Sequence, residues 1–190
     1  LDELARHGED AKLLAGGQSL MPIPNMRLAA PRRLVDLNRV AELAYVEECD
    51  GGVAIGAMTR QRAVEKSALV AGRVPLLAEA IPWVGHFQIR NRGTIGGSLA
   101  HADPAAELPA VAACLDARFT VRGPSGTRTL TADELYVTYL TTSLAPTEIL
   151  TGTWWPAAAP RTGYAWLELA RRHGDYALVG VAAAVTLRED

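Results

Sequence analysis

The chain alternates short apolar runs with turn-forming residues, and few of its apolar runs are long enough for a long helix. Residues 11–15 and 34–37 each have the apolar character of a short strand. A proline-containing crossover joins them, which predicts a small βαβ-like unit. Residues 1–8 have the pattern of the last turns of a helix that closes on Gly8. We expect the missing start of that helix, and of its subdomain, to lie upstream.

Two hairpins are predicted in the middle of the chain. Residues 44–56 place strand-forming residues on both sides of Asp50-Gly51-Gly52, whose glycines permit the positive φ of a tight turn. Residues 119–131 have a similar arrangement around a four-residue turn at 123–126, and residues 148–155 predict another strand. These segments indicate antiparallel sheet.

Helices are predicted between the strands. Thr59 is placed to cap a helix that runs through Lys66. The apolar pattern of residues 69–84 is helical, but Pro75 and Pro82 interrupt it, so we expect two short helices.

The best-specified helix start lies at Asp103. This aspartate at the cap, Pro104 at the first helical position and Glu107 in the first turn predict a helix over residues 105–115. Helices and hairpins that follow one another without regular βαβ repeats indicate an α+β fold.

A change in composition divides the chain near its C-terminus. Residues 156–160, with the sequence Pro-Ala-Ala-Ala-Pro, are the strongest linker candidate, and two strand-like runs follow them. We therefore predict an N-terminal subdomain of residues 1–38 and a second subdomain of residues 39–156. Residues 161–190 are expected to begin a C-terminal domain that continues beyond them.

Composition excludes several classes of protein. A chain of 190 residues with 49% hydrophobic and 21% charged residues can bury a sizeable core. A net charge of -2 and scattered arginines argue against a nucleic-acid partner. Cys49 and Cys114 lack the spacing of a metal or iron-sulfur site, so no metal is predicted here and both are read as buried free thiols. No apolar run spans a bilayer, which favours a cytoplasmic protein and leaves peripheral association with the inner membrane open.

A pair of glycine motifs carries the chemical signal. The first glycine segment is Ala15-Gly16-Gly17-Gln18-Ser19, and the second glycine segment is Thr94-Ile95-Gly96-Gly97-Ser98. Adjacent glycines lack Cβ atoms, so successive backbone N–H groups can point into one concavity and approach a phosphate, while the following serine adds a hydroxyl donor. Either segment alone is more typical of a tight turn. The matched pair predicts a single bound diphosphate.

Neither segment fits the common nucleotide signatures. The glycine pattern of a Rossmann site and the lysine-containing phosphate loop are both absent from the sequence. Residues 14–20, 88–109 and 174–177 instead resemble the FAD-binding subunit of molybdenum hydroxylases, the family of xanthine dehydrogenase and aerobic carbon monoxide dehydrogenase. The resemblance implies a two-subdomain FAD-binding fold of the p-cresol methylhydroxylase/vanillyl-alcohol oxidase type, followed by the start of a C-terminal α+β domain.

The resemblance also implies which residues contact FAD. The two glycine segments would enclose the diphosphate and the adjoining ribityl chain. Glu107 matches an acidic position that contacts FAD, although a helix dipole also favours a glutamate in the first turn. Leu150 matches a position that touches the flavin, and Tyr176 matches an aromatic residue beside the flavin ring. Packing of an ordinary strand residue in the core is the alternative explanation for each of them. The FAD contacts implied in this way are Ala15, Gly16, Gly17, Gln18, Ser19, Thr94, Ile95, Gly96, Gly97, Ser98, Glu107, Leu150 and Tyr176.

Four side chains near the second glycine segment have two readings each. His86 and His101 flank it, and a histidine beside a flavin can move protons, although such histidines more often hydrogen-bond loop backbone. Arg90 and Arg92 suit either an acidic cofactor or salt bridges that hold the segment in place. No catalytic residue is predicted on this chain.

The resemblance implies electron transfer as the function. FAD on this chain would receive electrons from two [2Fe-2S] clusters of a small partner subunit and pass them to an external acceptor, while a large subunit with a molybdenum cofactor oxidises the substrate. The implied assembly is a dimer of heterotrimers. Two other classes stay open: a stand-alone FAD-dependent oxidoreductase of the same broad fold, and a non-catalytic structural module whose glycines only turn the chain.

Overall fold

The computed structural model describes residues 1–28 and 31–188, and it mixes helices and strands as the α+β interpretation predicted. Part of the predicted crossover and the last two residues of the predicted segment 161–190 lie outside the described residues. The helices are α1 (Asp2–His7), α2 (Pro22–Asn25), α3 (Gln61–Glu65), α4 (Ala68–Arg73), α5 (Pro75–Ala80), α6 (Phe87–Arg92), α7 (Ile95–His101), α8 (Glu107–Cys114) and α9 (Ala132–Leu135). The strands are β1 (Ala11–Leu14), β2 (Arg33–Asp36), β3 (Val46–Cys49), β4 (Gly52–Gly56), β5 (Arg118–Gly123), β6 (Gly126–Leu130), β7 (Tyr136–Thr138), β8 (Thr141–Thr142), β9 (Ile149–Pro156), β10 (Thr162–Leu169) and β11 (Val179–Thr186).

Strands β1 and β2 form a separate parallel pair, which runs from Ala11 opposite Arg33 to Leu14 opposite Asp36. The crossover between them contains α2, so the predicted βαβ-like unit is confirmed. Parallel strands require such a crossover because the chain must return to the same end of the sheet. The unit packs around a small core in which its residues Leu4, Ala11 and Leu37 meet Met58, which follows β4, and Ile149 of β9.

The larger sheet has five strands in the order β3-β4-β9-β5-β6, and every neighbouring pair is antiparallel. The β3-β4 hairpin is confirmed, and Gly51 in its turn has a φ of 72°. The β5-β6 hairpin is also confirmed, but Gly123 pairs with Gly126, so its turn contains two residues. The predicted four-residue turn was wrong because the strand ladder extends over both flanking glycines.

Strand β9 lies at the centre of this sheet and carries polar groups into the main core. Trp155 is fully buried, and its indole N–H donates to the hydroxyl of Thr153 at 2.8 Å. That hydroxyl donates in turn to the carbonyl of Ile55 on β4 at 3.2 Å. Because these buried polar atoms are paired, the sheet can pack against its helices without the cost of an unsatisfied group.

Two predicted helix starts were wrong. The hydroxyl of Thr59 accepts the N–H of Tyr45 at 3.0 Å and donates to the carbonyl of Tyr45 at 2.8 Å, so it does not cap α3. The carboxylate of Asp103 accepts the N–H of Ala105 at 2.9 Å in a turn, and α8 begins only at Glu107. In both places a local or tertiary hydrogen bond outcompetes the cap.

The prolines divide residues 69–84 as predicted. Pro75 occupies the first position of α5 and separates it from α4, and Pro82 lies in a 3-10 turn at Ile81–Trp83. The two short helices are confirmed, with this extra turn added after them. A proline tolerates the first turn of a helix because its missing N–H would have no helical partner there.

The hairpin of β10 and β11 follows the irregular residues 157–161. One face packs on α5 and α8, and Trp166 on that face is 3% exposed within the main core. The other face exposes Leu167 and Val181 to solvent. That this hairpin begins a separate C-terminal domain stays a prediction. None of the described helices is long and apolar enough to cross a membrane.

Candidate functional site

A cavity of about 630 Å³ lies between the two glycine segments. Its walls come from β1, α7, the start of α8, β9 and the loop between β10 and β11. All but one of the residues predicted from the sequence line it: Ala15, Gly16, Gly17, Gln18, Ser19, Thr94, Gly96, Gly97, Ser98, Glu107, Leu150 and Tyr176. The exception is Ile95, whose side chain is fully buried in the main core. Its placement does not support a direct contact with a ligand.

The first glycine segment presents free backbone donors to the cavity. Within the described part of the chain, the N–H groups of residues 16–19 donate to no protein acceptor, although Gly16 is buried. Gly17 has a φ of 75°, which re-aims the backbone directly after β1. The side-chain amide of Gln18 donates to the carbonyl of Gly16 at 3.0 Å and braces the turn. Consecutive unpaired N–H groups in such a turn are suited to an anion.

The second glycine segment differs from the predicted loop because it begins a helix. Thr94 is the N-cap of α7, and its hydroxyl accepts the N–H of Gly97 at 3.0 Å. The preceding N–H groups donate elsewhere, that of Ile95 to the carbonyl of Thr59 at 3.0 Å and that of Gly96 to the carbonyl of Ala57 at 2.8 Å. The N–H of Ser98 donates to the carbonyl of Thr94 at 3.2 Å. The N–H groups of residues 95–98 are therefore used within the protein, and the expectation of a second row of free N–H groups was wrong.

The glycines of both segments allow close packing between them. A Cβ on Gly16 would lie 2.8 Å from the Cα of Gly93, in contact with the backbone just before the second segment. A Cβ on Gly97 would lie 3.3 Å from the Cβ of Ala15 and 2.7 Å from the hydroxyl oxygen of Thr94. The segments thus meet directly, with glycines at the points of contact, whereas the diphosphate that the matched pair predicts between them stays a prediction.

Glu107 is the carboxyl most affected by its surroundings. It is 7% exposed at the start of α8, and burial raises its pKa to about 7. The carboxylates of Glu168 and Asp103 raise the pKa further, whereas its own backbone amide and Arg90 act in the opposite direction. Near neutral pH this group is present in both protonation states, so it can donate or accept a hydrogen bond at the cavity wall.

Tyr176 lies in the loop between β10 and β11, not in the strand that the sequence predicted. Its side chain is 73% exposed and borders the cavity. Two contacts hold this loop. The ring of His173 meets Trp83 edge-on at 5.6 Å, and the backbone of Gly174 lies against the imidazole of His86. The opposite wall near the strands includes Leu150, a buried residue of β9.

The two arginines near the second segment have different roles. Arg90 is buried and donates to both carboxylate oxygens of Glu65, at 2.8 and 3.2 Å, and to the carbonyls of Val84 and Gly85, each at 3.0 Å. The salt-bridge reading of Arg90 is therefore confirmed. The side chain of Arg92 has no hydrogen bond within the described residues and does not line the cavity. Of the two histidines, His101 at the end of α7 lines the cavity.

Sequence reasoning missed several cavity residues. Lys12 on β1 and Asp175 in the β10-β11 loop both line the wall, and so does Gln61 of α3, whose buried side-chain oxygen has no partner among the described residues. The position of Lys12 in the strand that leads into the first glycine segment was a usable signal. Gln61 gave no such signal, because its place depends on how α3 packs against Gly93.

The described residues show no grouping of three or more histidine, cysteine or carboxylate side chains suited to a metal ion. Cys49 and Cys114 are free thiols, and both are partly exposed where the sequence reading had them buried.

Comparison with known proteins identifies close relatives. Residues 1–158 match the family described as the FAD binding domain in molybdopterin dehydrogenase. The chain is 48% identical, over 98% of its length, to the 6-hydroxypseudooxynicotine dehydrogenase complex subunit alpha of Paenarthrobacter nicotinovorans, of which it covers 63%. It is 42% identical, over 96% of its length, to the carbon monoxide dehydrogenase medium chain of Hydrogenophaga pseudoflava, of which it also covers 63%.

A solved structure agrees with these sequence matches. Carbon monoxide dehydrogenase from Hydrogenophaga pseudoflava, in a form lacking the Mo-pyranopterin moiety of the molybdenum cofactor, superposes with a TM-score of 0.96 at 41% identity. The match covers 99% of this chain and 66% of that chain. The chain thus spans slightly less than two thirds of the curated relatives it matches.

Proposed function

Because this chain belongs to the family of FAD binding domains in molybdopterin dehydrogenases, we propose that it holds FAD in the cavity between the two glycine segments. The single observation that supports this placement most strongly is the row of unpaired N–H groups at residues 16–19, which faces a contact point between the segments. A diphosphate satisfies such donors. A Cβ atom at Gly97 would meet Thr94 and Ala15, two residues that line the cavity, so the glycine preserves the shape of this wall.

The residues present fit the chemical parts of FAD. Residues 16–19 and the hydroxyl groups of Ser19 and Ser98, which have no partner within the described chain, supply hydrogen-bond donors for the diphosphate. Lys12 adds a positive charge to the same cavity wall. A cavity of about 630 Å³ lies within the range of cofactor sites. This donor set is the one that an anionic nucleotide needs.

The remaining walls suit the sugar-like chain and the ring. Because the pKa of Glu107 lies near neutrality, both of its protonation states are populated there. The protonated carboxyl can donate a hydrogen bond to a hydroxyl group of the ligand, and the carboxylate can accept one. Leu150 offers an apolar surface, and Tyr176 an aromatic one, on which a flat ring can pack. When bound, FAD supplies the electron-accepting and electron-donating chemistry, and the protein supplies position and electrostatics. We also propose that the thirteen sequence-predicted residues, apart from Ile95, form this site.

The wider function follows from the family. We propose that the full protein is the flavin subunit of a cytoplasmic molybdenum hydroxylase. In that assembly a large partner subunit carries the molybdenum cofactor and oxidises the substrate, and a small partner carries two [2Fe-2S] clusters that relay electrons to this chain. The flavin passes them to an external acceptor. The relatives named above are subunits of complexes by their names, which supports partners, and the dimer of heterotrimers remains the proposed assembly.

Absorbance of the purified full-length protein tests the cofactor directly. We expect a flavin band whose chromophore, released by heat, is FAD. A folded, colourless protein that does not respond to added FAD would contradict the proposal. Iron and molybdenum analysis of the natively purified protein tests the assembly, because a stand-alone flavoprotein would copurify with neither metal.

A further inference from the structure

Two polar side chains outside the cavity connect the glycine segments. Nη2 of Arg60 donates to Oδ1 of Asn38 at 2.6 Å, and Nη1 of Arg60 donates to the carbonyl of Arg92, just before the second segment. Nδ2 of Asn38 donates to the carbonyl of Ala15 in the first segment at 3.0 Å. We call this chain of hydrogen bonds the Arg60–Asn38 bridge. Neither of its two residues belongs to the cavity wall.

We propose that Arg60 and Asn38 are positioning residues for the diphosphate of FAD, which hold the first glycine segment in register with the second without touching the cofactor. The inference rests on the proposed function, because it requires FAD between the segments. It adds residues that lie 22 positions apart in the sequence and that no motif connects.

Asn38 can make both of its bonds in one amide orientation only. The side-chain oxygen must accept from Arg60 while the nitrogen donates to Ala15, so a flipped amide would lose both bonds. Asp36 fixes the residue further, because its carboxylate accepts the backbone N–H of Asn38 at 2.9 Å. Nδ2 of Asn38 also donates to the same carboxylate oxygen at 2.5 Å. These two hydrogen bonds from Asn38 lower the pKa of Asp36, which keeps this acceptor charged. The side-chain amide of Asn38 is therefore held in a single orientation, with its oxygen toward Arg60 and its nitrogen toward Ala15.

Arg60 can reach both acceptors because its guanidinium is a planar fork. Its backbone forms an isolated antiparallel bridge with Thr94, which places the side chain beside the start of α7. Nη1 then donates to the carbonyl of Arg92, just before the second glycine segment, and Nη2 donates to Asn38, which contacts the first. A lysine in the same place would keep the charge but has one nitrogen on a flexible stem, so it cannot span both acceptors with fixed geometry.

The direct contact between the segments makes their spacing sensitive to this bridge. Gly16 already lies against the backbone of Gly93, and Gly97 lies close to Ala15, so the two segments cannot move closer together at these points. Loss of the bond to the Ala15 carbonyl would free the turn whose N–H groups are unpaired. Those groups would then have to be ordered by the ligand, which weakens binding.

The test compares Arg60→Lys and Asn38→Ala in the full-length flavoprotein after removal of its flavin. Asn38→Ala removes both the acceptor for Arg60 and the donor that serves Ala15, and it places no second carboxylate beside Asp36. We expect each variant to bind FAD about ten-fold more weakly, the effect of one or two lost hydrogen bonds. Affinity for riboflavin, which has no diphosphate, should remain within about two-fold of wild type, since its contacts lie away from the bridge. The double variant should be no weaker than the weaker single variant, because both break one chain of bonds.

Arg39→Lys is the matched control. Arg39 is an exposed arginine next to Asn38 that does not line the cavity, and its side chain donates to no acceptor within the described residues. The Arg39→Lys variant should therefore bind FAD with wild-type affinity. Wild-type FAD affinity in the folded Arg60→Lys and Asn38→Ala variants would overturn the bridge and leave the proposed FAD binding intact. An equal loss of FAD and riboflavin affinity would also overturn it, since that pattern indicates general misfolding. A wild-type protein that binds no FAD would instead refute the proposed function.

Discussion

The backbone of Gly174 lies directly against the imidazole ring of His86, and a Cβ atom at this position would approach Nε2 of that ring to 3.1 Å. Gly174 also has a φ of 87°, which a residue with a side chain rarely adopts. Position and conformation therefore both require glycine here. The contact ties the β10-β11 loop, and with it Tyr176, to the segment before α6.

Replacing Gly174 by alanine should displace this loop. The added methyl group would collide with His86 in a strained backbone conformation, and we expect a loss of about 1–3 kcal/mol in the free energy of unfolding. Tyr176 would move from the cavity edge, so emission of bound flavin should increase as a neighbouring aromatic quencher is removed. Steady-state fluorescence and urea unfolding measure the two effects.

Gly163→Ala is the control for that experiment. Gly163 lies on β10 of the same hairpin, and a Cβ there would meet no atom within 4 Å. Its flavin emission should match wild type. If Gly174→Ala behaves like Gly163→Ala in both measurements, the His86 contact does not position the loop.

The raised pKa of Glu107 predicts a pH-dependent stability of the flavin-free protein. Between 4.5 and about 7 the folded protein retains a proton that the unfolded chain releases, so stability is highest below this window and falls as the pH rises through it. The shift corresponds to about 3 kcal/mol. Glu107→Gln, which is neutral at every pH, should lose this dependence and be more stable than wild type at alkaline pH.

Urea unfolding at about pH 5 and about pH 8 measures this difference, because those values bracket most of the titration. Glu79→Gln on the exposed face of α5 is the control and should keep the wild-type difference. A Glu107→Gln protein with an unchanged pH dependence would show that another group is responsible.

Gly97 should not accept a larger residue. In Gly97→Ala the new methyl group would lie 2.7 Å from the Thr94 hydroxyl and 3.3 Å from the Cβ of Ala15, so the cap of α7 and the first glycine segment must shift. We expect FAD affinity to fall by about ten-fold, or about 1.4 kcal/mol of binding free energy, since the displaced Thr94 and Ala15 both line the cavity. Fluorescence titration of the flavin-free protein gives the affinity.

Gly72→Ala provides the opposite control. Gly72 lies inside α4, and a Cβ there would meet nothing within 4 Å. Alanine should stabilise that helix by up to about 1 kcal/mol and leave FAD affinity unchanged. Similar FAD affinity for both variants would refute the importance of the contact between Gly97 and Ala15.

Arg90 should contribute to stability more than to redox function. Its guanidinium pairs with both oxygens of Glu65 and with two backbone carbonyls in a buried setting. Arg90→Ala should cost about 3 kcal/mol, because the carbonyls lose this donor and Glu65 keeps one ion pair, that with Arg62 at 2.7 Å, in place of two. The bond from Arg90 is the main cause of the lowered pKa of Glu65. The stabilisation is therefore present above the ordinary pKa of glutamate and is lost in more acidic solution. In urea unfolding, Arg90→Ala should show a smaller acid sensitivity, the part that the ion pair with Arg62 maintains.

The sequence predicted those parts of the fold that depend on local backbone chemistry. The turn at Gly51, the helix start at Pro75 and the crossover between β1 and β2 follow from residue types at fixed local positions. It failed where a distant partner decides. Thr59 is a good cap by type, but Tyr45 takes its hydroxyl in the folded chain.

The candidate site shows the same division. Adjacent glycines correctly marked both sides of the cavity, yet the carbonyls of Thr59 and Ala57 use the N–H groups that the second segment was expected to offer. Asn38 and Arg60 went unnoticed because an asparagine after a strand and an arginine before a helix are common. Only their meeting in space gives them a role.

The parallel β1-β2 pair has a consequence for how the protein opens. The first glycine segment stands on the small core around Leu4 and Leu37, whereas α7 belongs to the main core through Ile95 and Leu99. A ligand shared by the two behaves as a removable cross-link and adds about 2.7 kcal/mol to the joined state at one hundred times its dissociation constant. Without it, we expect the N-terminal unit to detach more easily, opposed by the packing of Met58 and Ile149 in the small core. We expect cofactor loss to expose the first segment to proteases, in which case cofactor saturation would govern how long the proposed flavoprotein survives.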